Sequence, residues 1–273
     1  MHNELKQAIR FDDFYALFGD RGVVAMAWWL GGQLAEPIRE EQWSFPFLHI
    51  CGEAGSGKTF LLEYLSKLTG PQSVSHHDPV RTTRAARTRT ITNPVNRVVI
   101  YEPTEPTASE FDWDELKALY NTASFYIHSG NIAESVEHTF KGALVICANQ
   151  PVEYSEAVET RLARIVLNKS HHANPRQAES LLQLSAEQAG IFGLAITRNT
   201  TKLLNDINKL APTYTAALLK EHGDQLSARA AKNGGQLMAL IDVLNLILGL
   251  SNTQHTSALR AVKYCVCAEF VPY

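Results

Sequence analysis

Positive charge is not in excess in this chain: 25 lysines and arginines stand against 28 acids, a formal net charge of −3. No global basic field therefore draws in nucleic acid, and any such contact must use a local patch. Cysteine is scarce. Cys51, Cys147, Cys265 and Cys267 form no C-x-x-C pair. This argues for reduced, structural thiols in a cytosolic protein, two of them inside buried strands. The first six residues, MHNELK, lack the apolar run of a signal peptide. The most apolar segment, 237–250, carries Asp242 and Asn245 and is too short to span a bilayer. These absences predict a soluble, cytoplasmic protein with no membrane partner. No repeat or low-complexity segment stands out. The apolar share, 45% of 273 residues, is ample for a buried core in one large domain or two small ones.

What is present is a phosphate loop. Gly52-Glu53-Ala54-Gly55-Ser56-Gly57-Lys58-Thr59 fits the pattern G-x-x-x-x-G-K-[ST]. Glycines let such a loop wrap so that backbone N–H groups of residues 53–59 point at phosphate oxygens. Lys58 reaches the β and γ phosphates in this pattern, and the Thr59 hydroxyl holds Mg²⁺. The context agrees. Residues 45–51 read as a short buried strand, and 59–68 as a helix with Phe60, Leu61, Leu62, Leu65 and Leu68 apolar. Gly70-Pro71 stops that helix. The arrangement places phosphate at a helix N-terminus.

Upstream, residues 1–40 have helical spacing, with Phe11, Phe14, Tyr15 and Phe18 apolar and a break at Gly22. Trp28 and Trp29 fall in a second helix, 23–38. They are read as core, with base stacking as the alternative. Downstream, the adjacent His76 and His77 point in different directions and make no metal site by themselves. Arg81, Arg84, Arg87 and Arg89 share much of one helix face. That face is either solvated or a contact for phosphate or another subunit.

Residues 96–102 then run β-branched into an acid, Glu102. An acid at the end of such a strand lies beside the phosphate loop, where it binds Mg²⁺ or orients water. Tyr101 stands where a first acid would be, and Glu105 is a second candidate. Residues 111–121 are predicted as an amphipathic helix with Asp112 and Glu115 in a capping box. Residues 124–128 and 135–140 flank a Gly-Asn turn and predict a β-hairpin, whose polar groups include His128, Asn131, His138 and Lys141. Residues 143–150 form another buried strand, ending at Asn149. Arg161 and Arg164, three apart, are expected on one helix face, with 166–167 beginning the next strand. Residues 174–273 read as helical, with breaks at Gly234-Gly235 and 251–253.

Together the loop at 52–59, Glu102, the hairpin, Asn149 and the Arg161/Arg164 segment resemble an AAA+ ATPase. More narrowly they are similar to superfamily 3-type helicase modules of phage and plasmid primase–helicases. Phrases at 44–48, 111–117 and 140–143 add to the likeness, which covers roughly residues 20–200. It implies an α/β P-loop fold, a parallel sheet flanked by helices. A helical segment at 1–40 would precede the ATPase core at 41–172, with an all-α region at 173–273. It implies ATP and Mg²⁺ as cofactors, Glu102 acting on metal and water, Asn149 sensing the γ phosphate, and Arg161 or Arg164 as a finger reaching a neighbouring subunit. It implies a ring, a hexamer, with His128, Asn131 and Lys141 tracking single-stranded or forked DNA. No primase segment precedes the core, so a separate primase or initiator would supply priming. Two other readings stand beside it: a regulatory AAA+ ATPase that assembles on DNA or a partner without unwinding, and a small-molecule kinase.

Overall fold

The computed structural model describes residues 2–70, 74–92, 97–103, 111–121, 124–128, 135–149, 152–169 and 174–267. Short β-branched and apolar runs supply its sheet. These are β1 (Phe47–Cys51), β2 (Val74–His77), β3 (Val98–Tyr101), β6 (Ala143–Ala148) and β7 (Leu162–Val166). They pair in the order β2-β3-β6-β1-β7, all parallel. Strands β4 (Ser124–His128) and β5 (Ser135–Thr139) form a separate antiparallel hairpin, inserted before β6. The fold is therefore the expected α/β sheet of parallel strands flanked by helices.

Burial on both faces explains the continuous apolar runs of β1, β3 and β6. Alternation sorts their side chains between two cores. Leu48, Ile50, Ile100, Val145 and Cys147 face a large core that holds Leu61 and Leu65 of α4 (Lys58–Thr69). Phe47, Val99, Tyr101 and Ile146 face a smaller one with Phe111, Trp113 and Tyr120.

Helices from both ends of the chain close the large core. α1 (His2–Ala8), α2 (Phe11–Gly32) and α3 (Ala35–Gln42) come before the sheet. α8 (Pro175–Leu182), α9 (Ala186–Ala189), α10 (Ile191–His222), α11 (Ala228–Leu248) and α12 (Asn252–Val266) come after it. Between them lie α5 (Arg84–Thr92), α6 (Lys117–Tyr120) and α7 (Glu156–Glu159). Trp28 and Trp29 are fully buried, as expected, and their indole N–H groups donate to Pro46 O (2.8 Å) and Thr69 Oγ1 (3.1 Å).

Several local expectations are corrected. α2 passes through Gly22, and the interruption falls at Gly19, where φ is 53° and ψ −146°. Gly234 and Gly235 lie inside α11, where they permit a close helix crossing. A Cβ on Gly235 would stand 2.6 Å from Ala211 O and 2.2 Å from Thr215 Oγ1 of α10. α10 itself continues through Pro212. The 111–121 segment is a 3-10 turn, Trp113–Leu116, followed by α6. Asp112 caps it through Asp114 N, while Glu115 turns away to Arg87. The Arg161/Arg164 segment is not helical: α7 ends at Glu159 and Arg164 sits within β7.

Candidate active site

The phosphate loop leaves the carboxyl end of β1 and delivers the N-terminus of α4. Gly52, Gly55 and Gly57 all have positive φ, at 151°, 79° and 88°. Gly52 admits no side chain, because a Cβ would lie 2.2 Å from the carbonyl oxygen of Leu167. Glu53, Ala54 and Gly55 are exposed, and so is Thr59. Lys58 is 7% exposed, and its ammonium donates to Gly52 O (2.8 Å) and Glu53 O (3.0 Å). Glu53 pairs with Lys169 at 3.0 Å across the mouth. Ser56 is buried, and its hydroxyl has no hydrogen-bond partner. Glycines that allow a tight wrap, a lysine aimed into it, and a hydroxyl on the first residues of a helix fit a polyphosphate with a hard cation.

Sheet order brings two other residues to this edge. β6 lies between β1 and β3, with Cys51 opposite Ala148 and Tyr101 opposite Ile146. Gly52 is thus level with Asn149, which is exposed, and Glu102 is level with Cys147. Strand parity sends Tyr101 to the smaller core, fully buried, and leaves Glu102 on the face of α4. The Cys147 thiol belongs to the large core on that face and feels the charge of Glu102. Burial first, and Glu102 with it, push that thiol up to about 12, with Lys58 opposing. Tyr101 therefore occupies no ligand position on the loop's face. The carboxylate of Glu102 also lies 3.1 Å from His76 Nδ1. Among the described residues no group of three or more His, Cys, Asp or Glu gathers as a metal cluster. Glu105 lies outside the described residues.

Sequence reasoning missed a cavity of about 260 Å³ beside the loop. Leu17, Phe18, Asp20 and Arg21 line it with Ser56 and Leu167, and the kink at Gly19 sets Asp20 and Arg21 in place. Arg21 donates to Val166 O. Nothing in the local pattern links 17–21 to a loop 35 residues away; only the packing of α2 does.

The two arginines stand apart from the loop of their own chain. Arg161 precedes β7 at the opposite, amino edge, where its carbonyl accepts from Phe47 N. Its guanidinium donates to Ala157 O and lies 5.3 Å from the Tyr120 ring centre. Arg164 is mostly buried, bonded to Glu159 Oε1 (2.6 Å) and His49 Nδ1 (3.3 Å). The hairpin also departs from the amino edge. Lys141 at its base pairs with Glu36 at 2.7 Å. Asn131 and the hairpin tip lie outside the described residues, and so do the side chains of His128 and His138.

No protein-family model matches the chain, and no curated protein matches it in sequence. Its fold, however, has solved counterparts. The structure titled "SCCmec type IV Cch - active helicase" superposes with a TM-score of 0.66, at 12% identity, over 93% of this chain and 50% of that one. The fold is helicase-like. This chain spans about half the length of that neighbour. The apo structure of the NrS-1 C-terminal region (305-718) matches at 16% identity over 96% of this chain and 70% of that one. Its TM-score is 0.38. Among the described residues no helix is long and apolar enough to cross a membrane.

Proposed function

We propose that the protein is an ATP-dependent DNA helicase or translocase of a phage, plasmid or mobile-element replication system. It works as a ring, a hexamer, with ATP sites between subunits. One observation carries this reading. The phosphate loop, Glu102 and Asn149 share one edge of the sheet, while an inserted antiparallel hairpin leaves the other. A small-molecule kinase reading accounts for neither Asn149 nor the paired Arg161 and Arg164.

Loop amides of residues 53–59 bind the phosphates, and Lys58 exchanges its two carbonyl partners for phosphate oxygens. Mg²⁺ held by Thr59 and Glu102 would neutralise charge on the β and γ phosphates. Glu102 orients the attacking water, and Asn149 contacts the γ phosphate. The cavity at Leu17, Phe18 and Arg21 receives the base. Arg161 or Arg164 reaches the site of the next subunit, the route by which such arginines accelerate hydrolysis. His128, Asn131 and Lys141 follow the DNA backbone, with Lys141 trading Glu36 for phosphate. A separate primase or replication initiator is a candidate partner.

A forked-duplex unwinding assay with ATP, beside ATPase rates with and without single-stranded DNA, tests the reading. Strand separation and DNA-stimulated turnover are expected. Neither appearing would sink it. Lys58→Ala subunits mixed with Arg161→Ala or Arg164→Ala subunits test action across subunits, and recovery of activity on mixing is the expected result.

A second reading, a regulatory ATPase that assembles on DNA or a partner without unwinding, is favoured by one observation. Both finger candidates are engaged within their own protomer, Arg164 with Glu159 and Arg161 with Ala157 O. ATP-dependent assembly with no strand separation would support it.

A further inference from the structure

Among the described residues Trp43 is the most exposed large apolar side chain, at 67%. The other three tryptophans are buried: Trp28 and Trp29 at 0% and Trp113 at 5%. Trp43 caps α3 with φ at 63°, a left-handed conformation that bulky residues rarely adopt. Glycine or asparagine is the usual residue there. Its N–H donates to Arg39 O at 2.7 Å, which fixes the turn. The chain thus holds an indole in water, in a fixed backbone conformation, where a small residue would be less strained.

The surroundings point to what the indole meets. Both roots of the hairpin touch this segment. Phe45 N donates to the carbonyl of Tyr120, the last helical residue before β4, at 3.0 Å. Phe140, the first residue after β5, lies against buried Arg39, 4.9 Å from ring centre to guanidinium carbon. The hairpin therefore leaves the body beside Trp43.

Cations gather on the same edge. Arg97 precedes β3, Lys141 precedes β6 and Arg161 precedes β7. Lys232 donates to the carbonyl of Gln42, next to Trp43, and Arg229 donates to Thr160 Oγ1. Glu36 is taken by Lys141, and exposed Glu40 and Glu41 on α3, with Asp114 acting on Arg161, are the acids that oppose these five. Proteins that hold single strands combine such a positive track with aromatic platforms, because every base offers a π face.

We propose that Trp43 is a base-stacking platform for single-stranded nucleic acid at the root of the hairpin, with Arg97, Lys141 and Lys232 holding the adjoining phosphates. This rests on the helicase reading but is tested apart from it. With the other tryptophans buried, quenching of intrinsic fluorescence by unlabelled oligo(dT) reports on Trp43, and saturable quenching is expected. By anisotropy with labelled oligo(dT), Trp43→Ala should weaken binding about tenfold, the size of one base stack. Trp43→Tyr should keep most of the affinity. DNA-independent ATPase should be unchanged in both. Circular dichroism checks that the variants fold, and Trp43→Gly, which relieves the backbone strain, should bind as weakly as Trp43→Ala.

Unchanged oligo(dT) affinity in Trp43→Ala and Trp43→Gly would overturn the proposal. So would a change in sedimentation without a change in affinity, since Trp43 would then be a contact between copies. No binding of oligo(dT) by the wild-type chain overturns it too, while ATP turnover lost in Lys58→Ala would still support the ATPase. Tight, Trp43-dependent binding without unwinding leaves the platform standing and removes the helicase reading.

Discussion

The Glu102 carboxylate sits between two side chains, with His76 Nδ1 at 3.1 Å from β2 and the Cys147 thiol on β6. The pair with His76 is half exposed, at 50% and 38%, so its attraction is weak. What it supplies is direction. Glu102→Gln is expected to reduce ATP turnover about a hundredfold or more, the range of a lost acid–base group, with nucleotide affinity retained. His76→Ala should lower kcat by less and leave KM near the wild-type value. A coupled ATPase assay with a fluorescent nucleotide titration decides. Full turnover in Glu102→Gln would remove this residue from the chemistry.

Gly52 faces the carbonyl of Leu167 with no room for a methyl group. Gly52→Ala must displace that backbone or twist the loop, and its φ of 151° adds strain. Nucleotide binding measured by calorimetry should vanish, as it should in Lys58→Ala. The two differ in stability: Gly52→Ala should melt earlier than the wild type, and Lys58→Ala should not. Normal binding by Gly52→Ala would show that the loop does not need its wrapped form.

Arg87 leaves the arginine cluster to form a two-pronged bond with Glu115, 2.9 Å at each oxygen, beneath the ring of Phe111. Its side chain is 12% exposed and that of Glu115 26%. Removing one partner strands the other charge. Glu115→Ala should cost about 2 kcal/mol, less than a fully buried pair. The double variant Arg87→Met with Glu115→Leu should recover most of that loss. Urea unfolding measures both, and additive losses would refute the coupling.

His49 lies fully buried on β1, and burial first, then the charge of Arg164, pull its pKa from 6.5 down to about 3. The unfolded chain therefore takes up this proton before the folded one does. The contribution is fully present above pH 6.5 and is lost progressively as pH falls from there towards about 3. Between pH 7 and pH 5 the wild type should lose on the order of 2 kcal/mol more than His49→Gln. Parallel urea titrations at the two pH values test this, and equal losses would show that His49 is protonated in the fold.

The parts that were legible from sequence are those written locally. The loop, the runs at 96–102 and 143–149 and the alternating pair around Ser129-Gly130-Asn131 each carry their own period or turn chemistry. The strand at β7 was misread because Leu162–Val166 takes its form from five register partners on β1. Its arginine is accommodated by His49, 115 residues away in sequence. Gly234-Gly235 looked like a break for a similar reason. Glycine signals a stop when nothing packs on it, and here Thr215 and Ala211 pack on it. Trp43 carried no signal at all, since exposure of a tryptophan is set by the capping turn and not by spacing.

β6 (Ala143–Ala148) lies between the hairpin's base, at Lys141, and the phosphate edge, at Asn149, and is hydrogen-bonded along both sides. A strand clamped in this way cannot stretch. Its six residues form a rod of roughly 20 Å, and a displacement of one end along its length is a displacement of the other. The phosphate edge and the root of the hairpin are therefore held at a fixed spacing along this strand.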